Sequence, residues 1–289
     1  VTTVSSNLEA PFVRGDSGAL RAVFVVAPSA ALAAVAPTHG ESNAIVERAF
    51  EQFELFAARL RAFGVKVIRL ETPSPSPLAS LAADCAVVFD DGAFLMRPSD
   101  LTRRAAVAGV EAALASAGVP IVGRIEAPGL LDGGDVLLGP DTLFLGVATR
   151  RQAETGIPGF AHGNAFGREQ LAAFAASKGR KTIDVAMAAE VRRLRSVASF
   201  VDAETVLFAA GLLDGAAFAG LQTIVAPRGE DYGAGVLALG PRRVLTNLRF
   251  RETIPLLRKA KVFVDAIDLW EFGKIGATPS TLALALKRD

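Results

Sequence analysis

Hydrophobic and polar positions along the chain alternate between two periods. Residues 20–28 (LRAVFVVAP) are apolar on both faces, which predicts a strand covered on both sides. A loop follows, and Ser42 is placed to cap the next helix. That helix carries Val46, Phe50, Phe53, Ala57 and Leu60 at steps of four and three, the spacing of one buried face. Gly64 ends it, 65–70 returns as a strand, and Pro73, Pro75 and Pro77 mark an extended crossing.

The same phrase recurs. Strand pairs are predicted at 86–89 with 93–96, 135–138 with 143–147, 197–201 with 206–209, and 236–239 with 244–248. Each pair is followed by a helical stretch (101–115, 168–177, 213–219 and around 253–258) and a further strand (119–122, 182–186, 223–226 and 262–264). Residues 282–286 are left over as a final strand. This is a strand–strand–helix–strand unit repeated about five times, with an opening strand missing from the first unit and one spare at the end. A closed ring, in which the last strand completes the first unit, is the economical arrangement for such repeats. The expected fold is therefore α/β: a fivefold pseudosymmetric ββαβ propeller closed by the C-terminal strand, spanning 20–289 as a single domain after a loose N-terminal arm at 1–19. In such a ring the first strand of each unit lines the centre. The loops at Asp84, Asp132, Arg193 and Ser280 then converge, although they lie far apart in sequence.

Composition narrows the function classes. The 289 residues carry 31 basic and 30 acidic side chains with no block of like charge, which gives a polyanion such as nucleic acid nothing to hold. No apolar run reaches about 18 residues, so no membrane span is expected, and residues 1–16 lack the apolar core of a signal peptide. The single cysteine, Cys85, precludes an internal disulfide and fits a reducing cytoplasm. Two histidines and one cysteine argue against a zinc site. No nucleotide-binding glycine motif is present, and no cofactor is implied. Oligomeric state is not legible, and a homo-oligomer stays open.

The most pointed motif is Leu130-Leu131-Asp132-Gly133-Gly134-Asp135-Val136-Leu137, with two carboxylates around two glycines at the mouth of an apolar strand. Adjacent glycines permit a sharp turn and a close approach by another group. Two readings follow from these residues alone: a hairpin turn with solvated aspartates, or a pair of carboxylates fixed to receive a buried cation.

Four stretches, Asp84-Cys85-Ala86-Val87-Val88 with Arg97-Pro98 and Arg103-Arg104, Leu131 to Leu137, Phe144-Leu145-Gly146-Val147-Ala148-Thr149-Arg150, and Pro37-Thr38-His39-Gly40, resemble the dimethylarginine dimethylaminohydrolase family of the guanidino-group-modifying, or pentein, superfamily. The resemblance runs over essentially the whole chain apart from a longer loop near 155–170. It implies the fivefold fold and a hydrolase acting on a guanidino small molecule. In that family a cysteine thiolate attacks the guanidinium carbon, an amine leaves, and water releases an ureido product. A histidine serves as acid and then base, and carboxylates hold the histidine and the cation.

By position, Asp132 matches the carboxylate that holds the histidine, Asp84 the one that grips the guanidinium, and Arg97 and Arg150 the arginines that take the substrate's carboxylate. The reactive residues are substituted. Arg193, in Arg192-Arg193-Leu194-Arg195-Ser196, stands at the histidine position, and Ser280 stands at the cysteine position. Ile275 and Ala83 replace two acidic residues usual in the family. A serine hydroxyl is a poor nucleophile without a base, and arginine stays protonated. His162, Thr281 and Cys85 are the remaining candidates for reactive groups; Cys85 reads first as a small buried residue opening a strand. Arg193 either turns inward as a built-in guanidinium, paired with Asp132, or turns outward with Arg192 and Arg195. Three functions stay open: a catalytically degenerate homologue with a retained acidic pocket, an active hydrolase of altered chemistry, and a noncatalytic protein-binding scaffold.

Overall fold

The computed structural model describes residues 7–38, 42–70, 76–148, 163–188 and 190–289. Within them lie five three-stranded sheets built to one plan, an antiparallel pair followed by a parallel crossover. The first sheet orders β15 (Ala283–Arg288), β1 (Leu20–Val26) and β2 (Lys66–Leu70), so the last strand of the chain pairs antiparallel with the first. The others are β3 (Ala86–Val88), β4 (Ala93–Leu95) and β5 (Ile121–Arg124); β6 (Val136–Leu138), β7 (Thr142–Ala148) and β8 (Lys181–Met187); β9 (Ala198–Phe200), β10 (Thr205–Phe208) and β11 (Gln222–Val225); and β12 (Leu237–Gly240), β13 (Arg243–Asn247) and β14 (Phe263–Ile267).

Burial falls from the first strand of each sheet to the third. The opening strands β3, β6 and β9 are buried at every residue, whereas β2 is half-buried throughout and β11 is largely exposed. The third strand is an edge, and its mixed sequences (KVIRL, QTIV) suit one.

Helices fill the crossovers: α1 (Val46–Ala62), α2 (Leu101–Ser116), α3 (Ala165–Ser177) and the short α4 (Thr253–Lys259). The fourth sheet has only a 3₁₀ turn, Gly215–Phe218, in that place. α1 buries Ala49, Phe53, Phe56, Ala57 and Leu60. Phe50, expected on that face, lies off the stripe and is exposed. Ser42 does not cap α1. The helix starts after Ile45, whose N–H donates to the Glu271 carboxylate at 2.7 Å, a partner 226 residues away.

The described part of the N-terminal arm is not loose. Phe12 and Val13 are buried, and their N–H groups donate to the carbonyls of Asp90 and Phe89 at 2.9 and 3.1 Å. Two apolar side chains and a run of backbone bonds outweigh the freedom suggested by the polar residues around them.

Each sheet is entered through a short helical turn: Ala82–Asp84, Gly133–Asp135, Leu194–Val197, Asp231–Ala234 and Pro279–Leu282 lead into β3, β6, β9, β12 and β15. These turns pack on one another. Leu194–Val197 touches the turns at Gly133–Asp135, Asp231–Ala234 and Pro279–Leu282, and Ala82–Asp84 touches those at Gly133–Asp135 and Pro279–Leu282. The expected convergence is present, with a fifth turn, Asp231–Ala234, that sequence reasoning had not singled out.

Candidate functional site

Where the turns meet, two carboxylates and two guanidiniums form one buried chain. Asp132 Oδ2 accepts from Arg103 Nη1 at 2.9 Å. The other arm of the Arg103 guanidinium, Nη2, contacts Asp84 Oδ2. The same carboxylate oxygen accepts from Arg193 Nε at 2.7 Å. The order is therefore Asp132, Arg103, Asp84, Arg193, with charges that cancel. Relative exposures are 5, 4, 0 and 3 %, respectively, so each ion is out of water and depends on its neighbours.

Local structure sets each member in place. Asp100 caps α2, its Oδ1 accepting from the N–H groups of Thr102 and Arg103 at 2.8 and 3.0 Å, which fixes the turn carrying Arg103. Asp132 Oδ1 accepts from the Ser99 N–H at 3.2 Å in the segment just before that cap. Asp84 Oδ1 accepts from the Gly134 N–H at 3.1 Å. The glycine pair is required by close approach. A Cβ on Gly133 would lie 2.2 Å from the Ala83 carbonyl oxygen, and one on Gly134 would lie 2.2 Å from Asp84 Oδ1 and 2.8 Å from Arg193 Cδ. Asp135, fully buried, accepts from the Leu194 N–H at 3.0 Å and so anchors the turn that presents Arg193. The motif at 130–137 is thus no solvated hairpin.

Electrostatics follow from burial and pairing. Burial raises the Asp84 carboxyl above its ordinary value, and the guanidiniums of Arg103 and Arg193 pull against that rise. For Arg103 burial alone would disfavour the charge, but Asp132 and Asp84 reverse this and hold its pKa above the usual arginine value. Burial pushes the Cys85 thiol up to about 12, so at neutral pH it is an inert thiol and no displaced nucleophile.

Arg193 points inward. It does not pair with Asp132, as expected, but with Asp84. Its methylenes pass over Gly134, a path that delivers the guanidinium to Asp84, and Asp132 is already held by Arg103. Arg195, expected on an outward basic face, pairs with Asp16 at 2.8 Å. Ser280 is buried; its Oγ donates to the Arg195 carbonyl at 2.6 Å and lies 3.1 Å from Thr278 Oγ1. Among the described residues neither an imidazole nor a carboxylate hydrogen-bonds to it. Thr281 Oγ1 is engaged with the backbone of Thr278, accepting from its N–H and donating to its carbonyl at 2.9 Å each. Arg97 stands outside the four-residue chain, its Nη1 donating to the Gly129 carbonyl at 3.0 Å on the approach to Asp132. Ile275 is buried in an apolar cluster, and Ala83 is buried in the turn that carries Asp84. Arg150, His162 and His39 lie outside the described residues.

Arg103 is the functional-looking residue that sequence reasoning passed over, since it entered only as part of an Arg-Arg run. A signal was present. Arg103, Val110 and Leu114 are the buried positions of α2, so a cation sits at the helical spacing of an apolar face, where only a buried anion can hold it. Among the described residues no cluster of three or more His, Cys, Asp or Glu could hold a metal ion, and no helix is long and apolar enough to cross a membrane.

The Arg103 guanidinium is thus clasped by two carboxylates on a fold of five repeated α/β sheets. A dimethylarginine dimethylaminohydrolase from Pseudomonas aeruginosa, solved as a cysteine-to-serine mutant with citrulline, superposes with a TM-score of 0.78 at 20 % identity, covering 92 % of this chain and 99 % of that one. SxtG, an amidinotransferase from Microseira wollei, superposes with a TM-score of 0.77 at 16 % identity over 96 and 97 % of the two chains. In sequence, the N(G),N(G)-dimethylarginine dimethylaminohydrolase of Streptomyces coelicolor is 30 % identical over 261 residues, 90 % of this chain and 95 % of that protein. The chain belongs to the dimethylarginine dimethylaminohydrolase family. No model of a protein family matches it.

Proposed function

We propose that this protein is a catalytically degenerate member of its family, with the acidic pocket retained and filled by the chain's own guanidiniums. The observation that carries this reading is the buried Asp132–Arg103–Asp84–Arg193 chain, in which both carboxylates already hold a cation. In this reading Asp132 occupies the position that orients the family's histidine, Arg193 the histidine position and Ser280 the nucleophile position. Arg97 and Arg150 are left to bind the carboxylate of a guanidino amino acid. The chemistry has no starting point. Arg193 cannot accept a proton at neutral pH, and the Ser280 hydroxyl proton is committed to a backbone carbonyl. An external guanidinium would have to displace Arg103 or Arg193, since two cations cannot share so small a buried site. The same reading takes the five sheets as a closed propeller, supported by the β15–β1 pairing and the mutual packing of the entry turns. It places the protein in the cytoplasm, where the lone Cys85 stays reduced.

The test is a discontinuous assay for ureido product with N(G),N(G)-dimethylarginine, arginine and agmatine. The expected result is no product above a heat-killed control. Sustained turnover that disappears in Ser280→Ala would overturn the reading in favour of a hydrolase of altered chemistry.

A further inference from the structure

A second buried ionic cluster adjoins the site just described, sharing Ser280, which lines the smaller of its cavities and donates to the Arg195 carbonyl. Asp16, Arg195 and Arg288 together wall two cavities of about 20 and 10 Å³, with Leu237 common to both. Asp16 Oδ2 is fully engaged, accepting from Arg195 at 2.8 Å and from the Leu138 N–H at 2.8 Å. Arg288, 5 % exposed, donates through Nη1 only to neutral carbonyls, those of Gly18 at 2.7 Å and Ala238 at 2.8 Å. Among the described residues its Nε has no hydrogen-bond partner, and neither has the Oγ of Ser199, which is 4 % exposed. Both residues line the smaller cavity.

Two guanidiniums face one carboxylate, so one positive charge is uncompensated in a largely buried space. Buried polar groups are almost always satisfied, and buried charges are paired. The unpartnered groups can both donate, an N–H from Arg288 and an O–H from Ser199, which suits an acceptor carrying negative charge. The cavities have room for about one water-sized species each, which excludes phosphate, sulfate or a carboxylic acid. Burial, with Arg195 adding to it against Asp16, lowers Arg288 to about 10, so it remains a cation at neutral pH. We propose that the smaller cavity binds a small monovalent inorganic anion of the halide class, held by Arg288 Nε and Ser199 Oγ with Arg195 as the second positive charge.

The experiment is thermal unfolding of the whole protein at constant ionic strength, with chloride or bromide replacing gluconate. The expected result is a midpoint that rises by a few degrees and saturates with halide. In Ser199→Ala at least tenfold more halide should be needed to reach half the rise, and Arg288→Met should lose the response. Crystals soaked in bromide should show an anomalous peak beside Arg288. If Arg288→Met does not fold, Ser199→Ala carries the test. A midpoint that follows ionic strength alone, identical for halide and gluconate, would overturn the proposal, as would a halide response unchanged in Ser199→Ala. Either result would leave water as the occupant.

Discussion

Replacing Arg103 by methionine removes the guanidinium that joins the two carboxylates while keeping an unbranched apolar side chain in its place. Asp84 would retain Arg193 at 2.7 Å and the Gly134 N–H at 3.1 Å, whereas Asp132 would be left with the Ser99 N–H at 3.2 Å. The loss therefore falls on Asp132, which is 5 % exposed. Removing one partner of a buried ion pair costs about 3–5 kcal/mol, because the remaining charge is stranded. At about 2–4 °C per kcal/mol for a chain of this size, the unfolding midpoint should fall by roughly 10 °C. Urea unfolding followed by circular dichroism at pH 7 measures the difference directly. Adding Asp132→Asn to Arg103→Met removes the stranded charge and should recover at least about 1 kcal/mol, a coupling that a double-mutant cycle isolates. An Arg103→Met protein within about 0.5 kcal/mol of wild type, or strict additivity in the cycle, would refute the buried bridge; surface-like changes are of that size.

Three further outcomes are expected. Gly134→Ala puts a Cβ 2.2 Å from Asp84 Oδ1; it should cost at least about 1–3 kcal/mol, as overpacked cores do, by denaturant unfolding. Cys85, with its thiol held up to about 12 by burial, should resist a thiol reagent at pH 8 in the native protein and react once it is unfolded. Because its folded pKa exceeds the ordinary thiol value of about 8.5, its contribution is complete below that pH and lost above it. The alkaline fall in stability should be shallower in Cys85→Ala, by about 1–2 kcal/mol near pH 10. Ser280→Cys alone should yield no ureido product from dimethylarginine, because Arg193 provides no base; product formation by this single variant would show that another group does.

Much of the architecture was legible because it rests on local periodicity. The alternation between apolar strands and a helix marks four of the five units, the fourth keeping only the 3₁₀ turn Gly215–Phe218 where a helix was expected over 213–219, and the spare strand at the C-terminus pairs with β1 as the count of strands requires. From sequence the glycine pair drew notice to Asp132, and the family resemblance to Asp84. Partner choice was not legible in the same way. Whether Arg193 met Asp132 or Asp84 depended on a path over Gly134 and on Arg103 arriving from α2. The cap of α1 depended on Glu271, 226 residues along the chain, and the arm's Phe12 and Val13 found their place only against Phe89 and Asp90. By itself the sequence determined the repeat, the fold class and the presence of Asp84 and Asp132 at turns that open apolar strands. The tertiary structure decided that those carboxylates are occupied from within, because a buried charge takes whichever opposite charge the packed chain brings within reach, and that reach is set by contacts between residues far apart in sequence.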